Sequence, residues 1–468
     1  MAQDATLSTD LDRDRAGQEP IHHPEELSGW FAVGNKPRER WGTGLEYERL
    51  GVFTGSGQAI PYAGESRSLR AILEELVRSH GWTAWREEGR PIALSRDDTW
   101  LTLEPGSQAE MSSRIHFNLV SMRDELCDFV SVLSQVSAAH GISWLGLGLQ
   151  PFTALDAIQW VPKTRYRLMS AHLQGAGGHG LDMMKRTAGI QVNLDYSDEA
   201  DAGAKFRTLM GISPVITALF ANSPLDDGRP NGFMSSRAAI WQDTDPARCG
   251  LLRFALDDRP LFSAYLEYAL DVPMMFVMRD GGWLEVRVPF RNFIRDGYQG
   301  LTARMADWDL HLTTLFPDVR LKRFIEARCA DSADASLAMA QVALIQGILY
   351  DSKATRQAWE LVSRLTWEEF QAFHLDVPRR GLHAEAGGRP VLSLAAELVA
   401  IAREGLGRTA AATGTADDGL FLAPLDIILR DGESPARRLL RLWENSMAND
   451  PARLVQHLAQ LNLECYKC

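Results

Sequence analysis

Several strand-like segments of this 468-residue chain carry polar side chains two residues apart, and that spacing limits what the chain can fold into. In an extended strand, residues i and i+2 share a face, so such a segment has one polar and one apolar side. The fullest case is VRLKRFIEARCAD, Val319 to Asp331. Read as one strand, Val319, Leu321, Arg323, Ile325 and Ala327 share one face. Arg320, Lys322, Phe324, Glu326 and Arg328 share the other. GLEYERL puts Glu46 and Glu48 side by side, and AGIQVNLDY does the same for Gln191 and Asn193, with Asp195 next. In LEPGSQAE, Glu104 and Glu110 flank a Pro-Gly turn and can face each other across a short hairpin. Each segment alone reads as a solvent-facing strand of an antiparallel sheet. Together, carboxylates on neighbouring strands and basic groups on another suit Mg²⁺ held between protein oxygens and nucleotide phosphates.

From Trp41 to about Arg328, strand-like segments alternate with helical ones such as SLRAILEELVRSH and ADAGAKFRTLMGISPVITALF, whose apolar residues recur at three- and four-residue spacing. Beyond Ala333 the pattern is almost wholly helical. This succession predicts an α+β fold and not a βαβ alternation. The expected divisions are a flexible polar tail over 1–20, a sheet-containing catalytic body over 21–332, and a helical part over 333–468 packed on the same domain. GAGGHG, residues 175–180, reads as a surface loop and a candidate lid.

Composition narrows the function classes. Lys and Arg number 49 against 61 Asp and Glu, a net charge of −12, which argues against nucleic acid as a partner. No uncharged apolar run reaches the ~18 residues that span a bilayer, and the polar start is not a signal peptide. The expected location is cytoplasmic, with no membrane partner. Five cysteines, sparse and odd in number, imply no disulfide framework, and the terminal CYKC lacks a second pair to complete a zinc site. Neither G-x-x-x-x-G-K-[ST] nor a helix-opening G-x-G-x-x-G is present, so any phosphate site is not a P-loop. H-E-x-x-H and G-x-S-x-G are also missing.

The ordered motifs KPRERWGTGLEYERLGV, LEPGSQAEMS, LGLGLQP, PKTRYRLM, GLDMMKRTAGIQVNLDYSDEAD, FANSP…NGF…SSRAAIW…DTD, YALDVPMMF and HLTTLFPDVRLKRFIEAR cover nearly everything from residue 24 onward. In them the chain resembles the plant and proteobacterial type of glutamate–cysteine ligase, and is also similar to the actinobacterial ergothioneine-pathway ligase. That resemblance implies a glutamine-synthetase-like curved antiparallel sheet flanked by helices. It implies metal ligands at Glu46, Glu48, Glu104, Glu110 and Glu326, with Gln191 where related bacterial ligases use a histidine. Arg320, Lys322 and Arg328 are the implied catalytic groups, and Arg320, Lys322 and Arg323 the nucleotide-binding ones. For substrate it implies Arg237, Trp241, Arg165, Asn193 and Met275. A guanidinium such as that of Arg237 suits an α-carboxylate because it meets one bidentately.

The implied reaction uses ATP, Mg²⁺, glutamate and an amine, in a monomer or homodimer. The glutamate γ-carboxylate takes the γ-phosphoryl group of ATP, and the amine of cysteine then displaces phosphate to give γ-glutamylcysteine. Two departures bear on the acceptor. Met275 stands where plant-type enzymes carry a tyrosine, and Glu326 to Ala335 reads EARCADSADA where they read EMRGADGGPW. A ligase using another amine therefore stays open beside cysteine, as does a catalytically inactive binding relative.

Overall fold

A computed structural model of the chain describes residues 17–463. Its centre is one antiparallel sheet of nine strands. They are β1 Thr43–Phe53, β2 Thr83–Glu87, β3 Arg90–Arg96, β4 Thr99–Leu103, β5 Ala109–Ser112, β6 Ile142–Leu145, β7 Gly189–Leu194, β8 Val319–Leu321 and β9 Ile325–Asp331. Their order is β8-β9-β7-β1-β5-β4-β3-β2. The first half of β1 is held between β7 and β5, and its second half pairs with β6.

Register lines up the polar residues. Glu46 lies opposite Gln191 and Ser112, Glu48 opposite Glu110, and Glu326 opposite both Asn193 and Arg320. The polar positions of five strands thus form one continuous face. Intervening residues, among them Leu45, Tyr47, Met111, Ile190 and Val192, are fully buried on the other side. That side is covered by helices, including α1 Leu69–Ser79, α2 Leu119–Ala138 and α3 Glu199–Leu219. The short helix α4, Ser236–Gln242, follows them.

Residues 319–331 form a hairpin and not the single strand expected. The chain turns through Lys322, Arg323 and Phe324, closed by Lys322 N–H donating to Phe324 O at 2.8 Å. Leu321 pairs with Ile325 and Arg320 with Glu326. A three-residue turn leaves odd opposite odd and even opposite even, so Arg320, Glu326 and Arg328 still share a face. Strands β2 and β3 are further additions to the expected set, and β5, the second arm of the short hairpin expected around the Pro-Gly turn, is four residues long and pairs Glu110 with Thr102.

Beyond Ala333 come α5 Ala335–Leu349, α6 Trp367–Arg380 and α7 Val391–Thr413, with shorter helices between and after them. Helix α5 is apolar nearly all round, the mark of a core helix, and it lies against β7, β1 and α7. Helix α6 was not among the expected helices, although Thr366 and Glu369 form a capping box at its start. The tail expected over 1–20 is shorter at its described end. Gly17 O and Glu19 O accept from Ala306 N and Met305 N at 2.9 and 3.1 Å. Those are backbone contacts, to which side-chain polarity is blind. Cys127 is disulfide-bonded, which a sparse cysteine count does not rule out. Cys249 and Cys329 are free thiols, and CYKC lies outside the described residues. No helix among the described residues is long and apolar enough to cross a membrane.

Candidate active site

The polar face opens on a cavity of about 130 Å³. From the sheet come Glu46, Glu48, Glu104, Glu110 and Gln191, and from the hairpin Arg320 and Arg328. Helix Thr164–Leu173 contributes Arg165, and α4 contributes Arg237 and Trp241. Ten residues singled out in the sequence therefore meet at one place. Asn193, Lys322 and Glu326 stand in the same polar row but do not line the cavity.

The carboxylate wall carries surplus negative charge. Burial, followed by the charge of Glu104, pushes the Glu48 carboxyl up to about 7. Glu110 is pushed well above the usual range by burial and then by Glu104, Glu46 and Glu48. Burial and Glu326 push Glu46 up as well. Neutral donors offset part of this. Asn193 Nδ2 donates to Glu46 Oε1 at 3.1 Å, Gln191 Nε2 to Glu48 Oε1 at 3.0 Å, and Thr102 Oγ1 to Glu110 Oε2 at 2.5 Å.

Glu326 has the opposite character. Burial would raise its carboxyl, but Arg320, Arg328 and Lys322 outweigh that and hold it far below the usual range. Arg320 grips both oxygens, Nε to Oε2 at 2.9 Å and Nη2 to Oε1 at 2.7 Å, and Arg328 adds a second donor to Oε1. The remaining Arg320 nitrogen donates to Thr313 O and Leu315 O. Both Glu326 oxygens thus accept from guanidinium groups, and Arg320 donates to Glu326 and to two backbone carbonyls. Gln191 Oε1 is likewise taken by Arg328. Lys322 is the exception among the cations. Its buried Nζ has no hydrogen-bond partner among the described residues and lies 3.7 Å from Glu326 Oε2. Burial and then Arg320 pull its ammonium down to about 8.

Across the cavity, α4 starts at Ser235, whose hydroxyl accepts from Ala238 N at 3.0 Å and donates to Asp331 Oδ1 at 2.8 Å. Arg237 and Trp241, four residues apart, share a helix face. Arg237 is only 4% exposed, and Nη2 donates to Arg328 O at 3.0 Å. Its Nε and the Trp241 Nε1 have no partner among the described residues. Gly189 is what admits this guanidinium: a Cβ there would sit 2.5 Å from Arg237 Nη2. Two buried donors without acceptors, side by side at a cavity wall, form a receptor for an anion such as a carboxylate.

Comparison with known proteins places the chain in a family. The model of the glutamate-cysteine ligase family 2 (GCS2) matches residues 43–457. The chain belongs to that family. Glutamate–cysteine ligase B, chloroplastic, of Oryza sativa subsp. japonica is 37% identical over 441 residues, 93% of this chain and 86% of that protein. The chloroplastic ligase of Nicotiana tabacum is 37% identical over 423 residues, 90% and 79% of the two chains. The fold is shared with a crystal structure of glutamate–cysteine ligase from Francisella tularensis in complex with AMP. The TM-score is 0.56 at 12% identity, covering 90% of this chain and 89% of that one.

In this family 2 chain two expected site residues fall elsewhere. Met275 is buried and does not line the cavity; Trp283, on a neighbouring hairpin, does. Arg323, at the hairpin turn, lies over the Trp30 ring at 4.9 Å, away from the residues lining the cavity. Other contributors escaped the sequence reading. Glu87 caps the helix that carries Arg165, accepting from Thr164 N at 3.1 Å and Oγ1 at 2.6 Å. Thr102 was legible in principle, since it stands two residues before Glu104. The Glu87–Thr164 contact joins segments 77 residues apart and leaves no local signal. The 175–180 loop, a candidate lid, rests on the end of α4, where His179 N–H donates to Asp243 O at 2.9 Å.

Proposed function

We propose that this protein is an ATP-dependent ligase that joins the γ-carboxylate of glutamate to the amine of L-cysteine, giving γ-glutamylcysteine, ADP and phosphate. The observation that carries this is the cavity itself. Two unpartnered donors, Arg237 and Trp241, face a wall of four glutamates. Beside it, in the same polar row, stands a buried lysine without a hydrogen-bond partner, Lys322. Membership of glutamate-cysteine ligase family 2 supports the same reading.

Arg237 and Trp241 would hold the glutamate α-carboxylate. This points the γ-carboxylate toward the sheet, where one of its oxygens attacks the γ-phosphorus of ATP. ADP leaves, γ-glutamyl phosphate forms, and the cysteine amine attacks its carbonyl carbon, expelling phosphate and losing a proton. Negative charge grows on the phosphoryl oxygens in the first step, and Lys322 and Arg328 would be the cations that offset it. Such electrostatic partners are typically worth on the order of 10²-fold in rate or more.

Glu46, Glu48, Glu104 and Glu110 would hold Mg²⁺. The fit rests on their oxygen donors and on the surplus charge that raises Glu48 and Glu110, which a divalent cation relieves. Among the described residues no three His, Cys, Asp or Glu side chains converge tightly enough to enclose an ion unaided. A cation held there would therefore need water and phosphate oxygens to complete its shell. Bound there, Mg²⁺ supplies neutralisation of the phosphate charges.

The test is ADP release by the purified protein with Mg²⁺, ATP and glutamate, with and without cysteine, products being identified by mass spectrometry. A cysteine-dependent rise accompanied by γ-glutamylcysteine is expected. Glutamate-dependent release that another amine stimulates and cysteine does not would replace cysteine as acceptor, and no release with any amine would overturn the ligase reading.

A further inference from the structure

Helix α4 has seven residues and carries both Arg237 and Trp241. A helix of that length does not hold its shape alone in water, so its pose is set by its anchors. At its start, Met234 N–H and Ser235 N–H both donate to Pro378 O, at 2.7 and 3.0 Å. At its end, Gln242 Nε2 donates to His374 O at 2.6 Å and lies 3.3 Å from His374 Nδ1. Both anchors belong to α6, where His374 and Pro378 are four residues apart and share a face. The helical C-terminal part thus grips the glutamate-facing helix at both ends.

His374 makes one further contact. Its Nε2 lies 2.9 Å from Asp318 Oδ2, on the residue just before β8. With Gln242 Nε2 beside Nδ1, Nε2 is the ring nitrogen left to face Asp318. Asp318 O in turn accepts from Arg328 N at 3.0 Å. Asp318 and His374 line a small chamber of about 30 Å³ on the far side of Arg237, Trp241 and Arg328, with room for about two waters. One side chain therefore ties the end of α4 to the hairpin that carries Lys322 and Arg328.

We propose that His374 is a positioning residue: it sets the separation between the glutamate-holding pair Arg237–Trp241 and the cationic hairpin. The inference rests on the assignment of that pair to glutamate made above. It goes further in giving a helix outside the sheet-containing body a direct part in substrate affinity.

The experiment is steady-state ADP release with glutamate and ATP varied separately, for the unaltered protein, His374→Ala and His374→Gln, with Tm recorded for each. Glutamine offers an amide N–H where His374 Nε2 stood. His374→Ala should raise the KM for glutamate by about tenfold, leaving the KM for ATP within about twofold. His374→Gln should recover most of that loss. An unchanged KM for glutamate in His374→Ala overturns the inference, as does an equal rise in both KM values, which marks a merely structural role. The functional reading fails in a different way: the unaltered protein would then release no ADP in response to glutamate, and this inference would fall with it.

Discussion

Lys322 is the residue at which stability and function part company. A buried ammonium without a hydrogen-bond partner costs folding energy and persists where the reaction needs the charge. Lys322→Met should lower kcat by on the order of 10²-fold, yet leave Tm unchanged or higher. Steady-state kinetics and thermal melts on the same preparation check both halves. A second residue makes a prediction in acid. Burial would push the Asp245 carboxyl up, but His172 and Arg248 outweigh it and hold it down at about 2, against an ordinary 3.8. Below its ordinary value the unfolded chain binds the proton first, so the contribution is present above pH 3.8 and is lost as pH falls toward 2. At most about 2 kcal/mol is involved. Urea midpoints of the unaltered protein and Asp245→Asn should differ at pH 6 and converge between pH 4 and pH 2. At this scale the sequence was informative about which residues matter and silent about their state. The i, i+2 glutamates announced a charged face. That Glu326 accepts from Arg320 while Lys322 is left without a hydrogen-bond partner depends on cross-strand register, which no local spacing encodes.

Among elements, the crossing of α5 and α7 is the tightest contact behind the sheet. A Cβ on Gly405 would lie 1.9 Å from Gly347 O, and one on Gly347 2.4 Å from Ala402 O. The two backbones touch, so both glycines are needed for closeness and not for an unusual backbone angle. Gly405→Ala should destabilise the protein by roughly 1–3 kcal/mol or more through forced separation, read as a lower urea midpoint with an unchanged slope. Elements with long apolar stretches were legible: β1 and helices α2, α3 and α5, the last apolar on nearly every side. The 319–331 hairpin was mistaken for a strand because a three-residue turn preserves the alternation that defines a strand. Helix α6 escaped because Pro378 lies within it and its pattern is broken by His374 and Asp376. Its capping box, T-x-x-E at Thr366 to Glu369, was the available signal.

For the whole molecule, the division into a sheet-bearing body and a helical remainder could be read from the change of period near Ala333. The cavity could not be. It gathers Arg165, Arg237, Trp241, Arg320 and Arg328 from three separate segments onto the glutamates of the sheet, and only the fold brings them together. The resemblance to a known family named these residues together, and the structure brings them to line one cavity. The central claim concerns the order of bond making: glutamate is activated through its γ-carboxylate as an acyl phosphate before the amine arrives. Glutamate labelled with ¹⁸O in that carboxylate tests this directly, with phosphate and nucleotide analysed by mass spectrometry after ligation. This account predicts one ¹⁸O in each phosphate released, alongside unlabelled ADP. Phosphate without label, or AMP carrying it, would contradict the account.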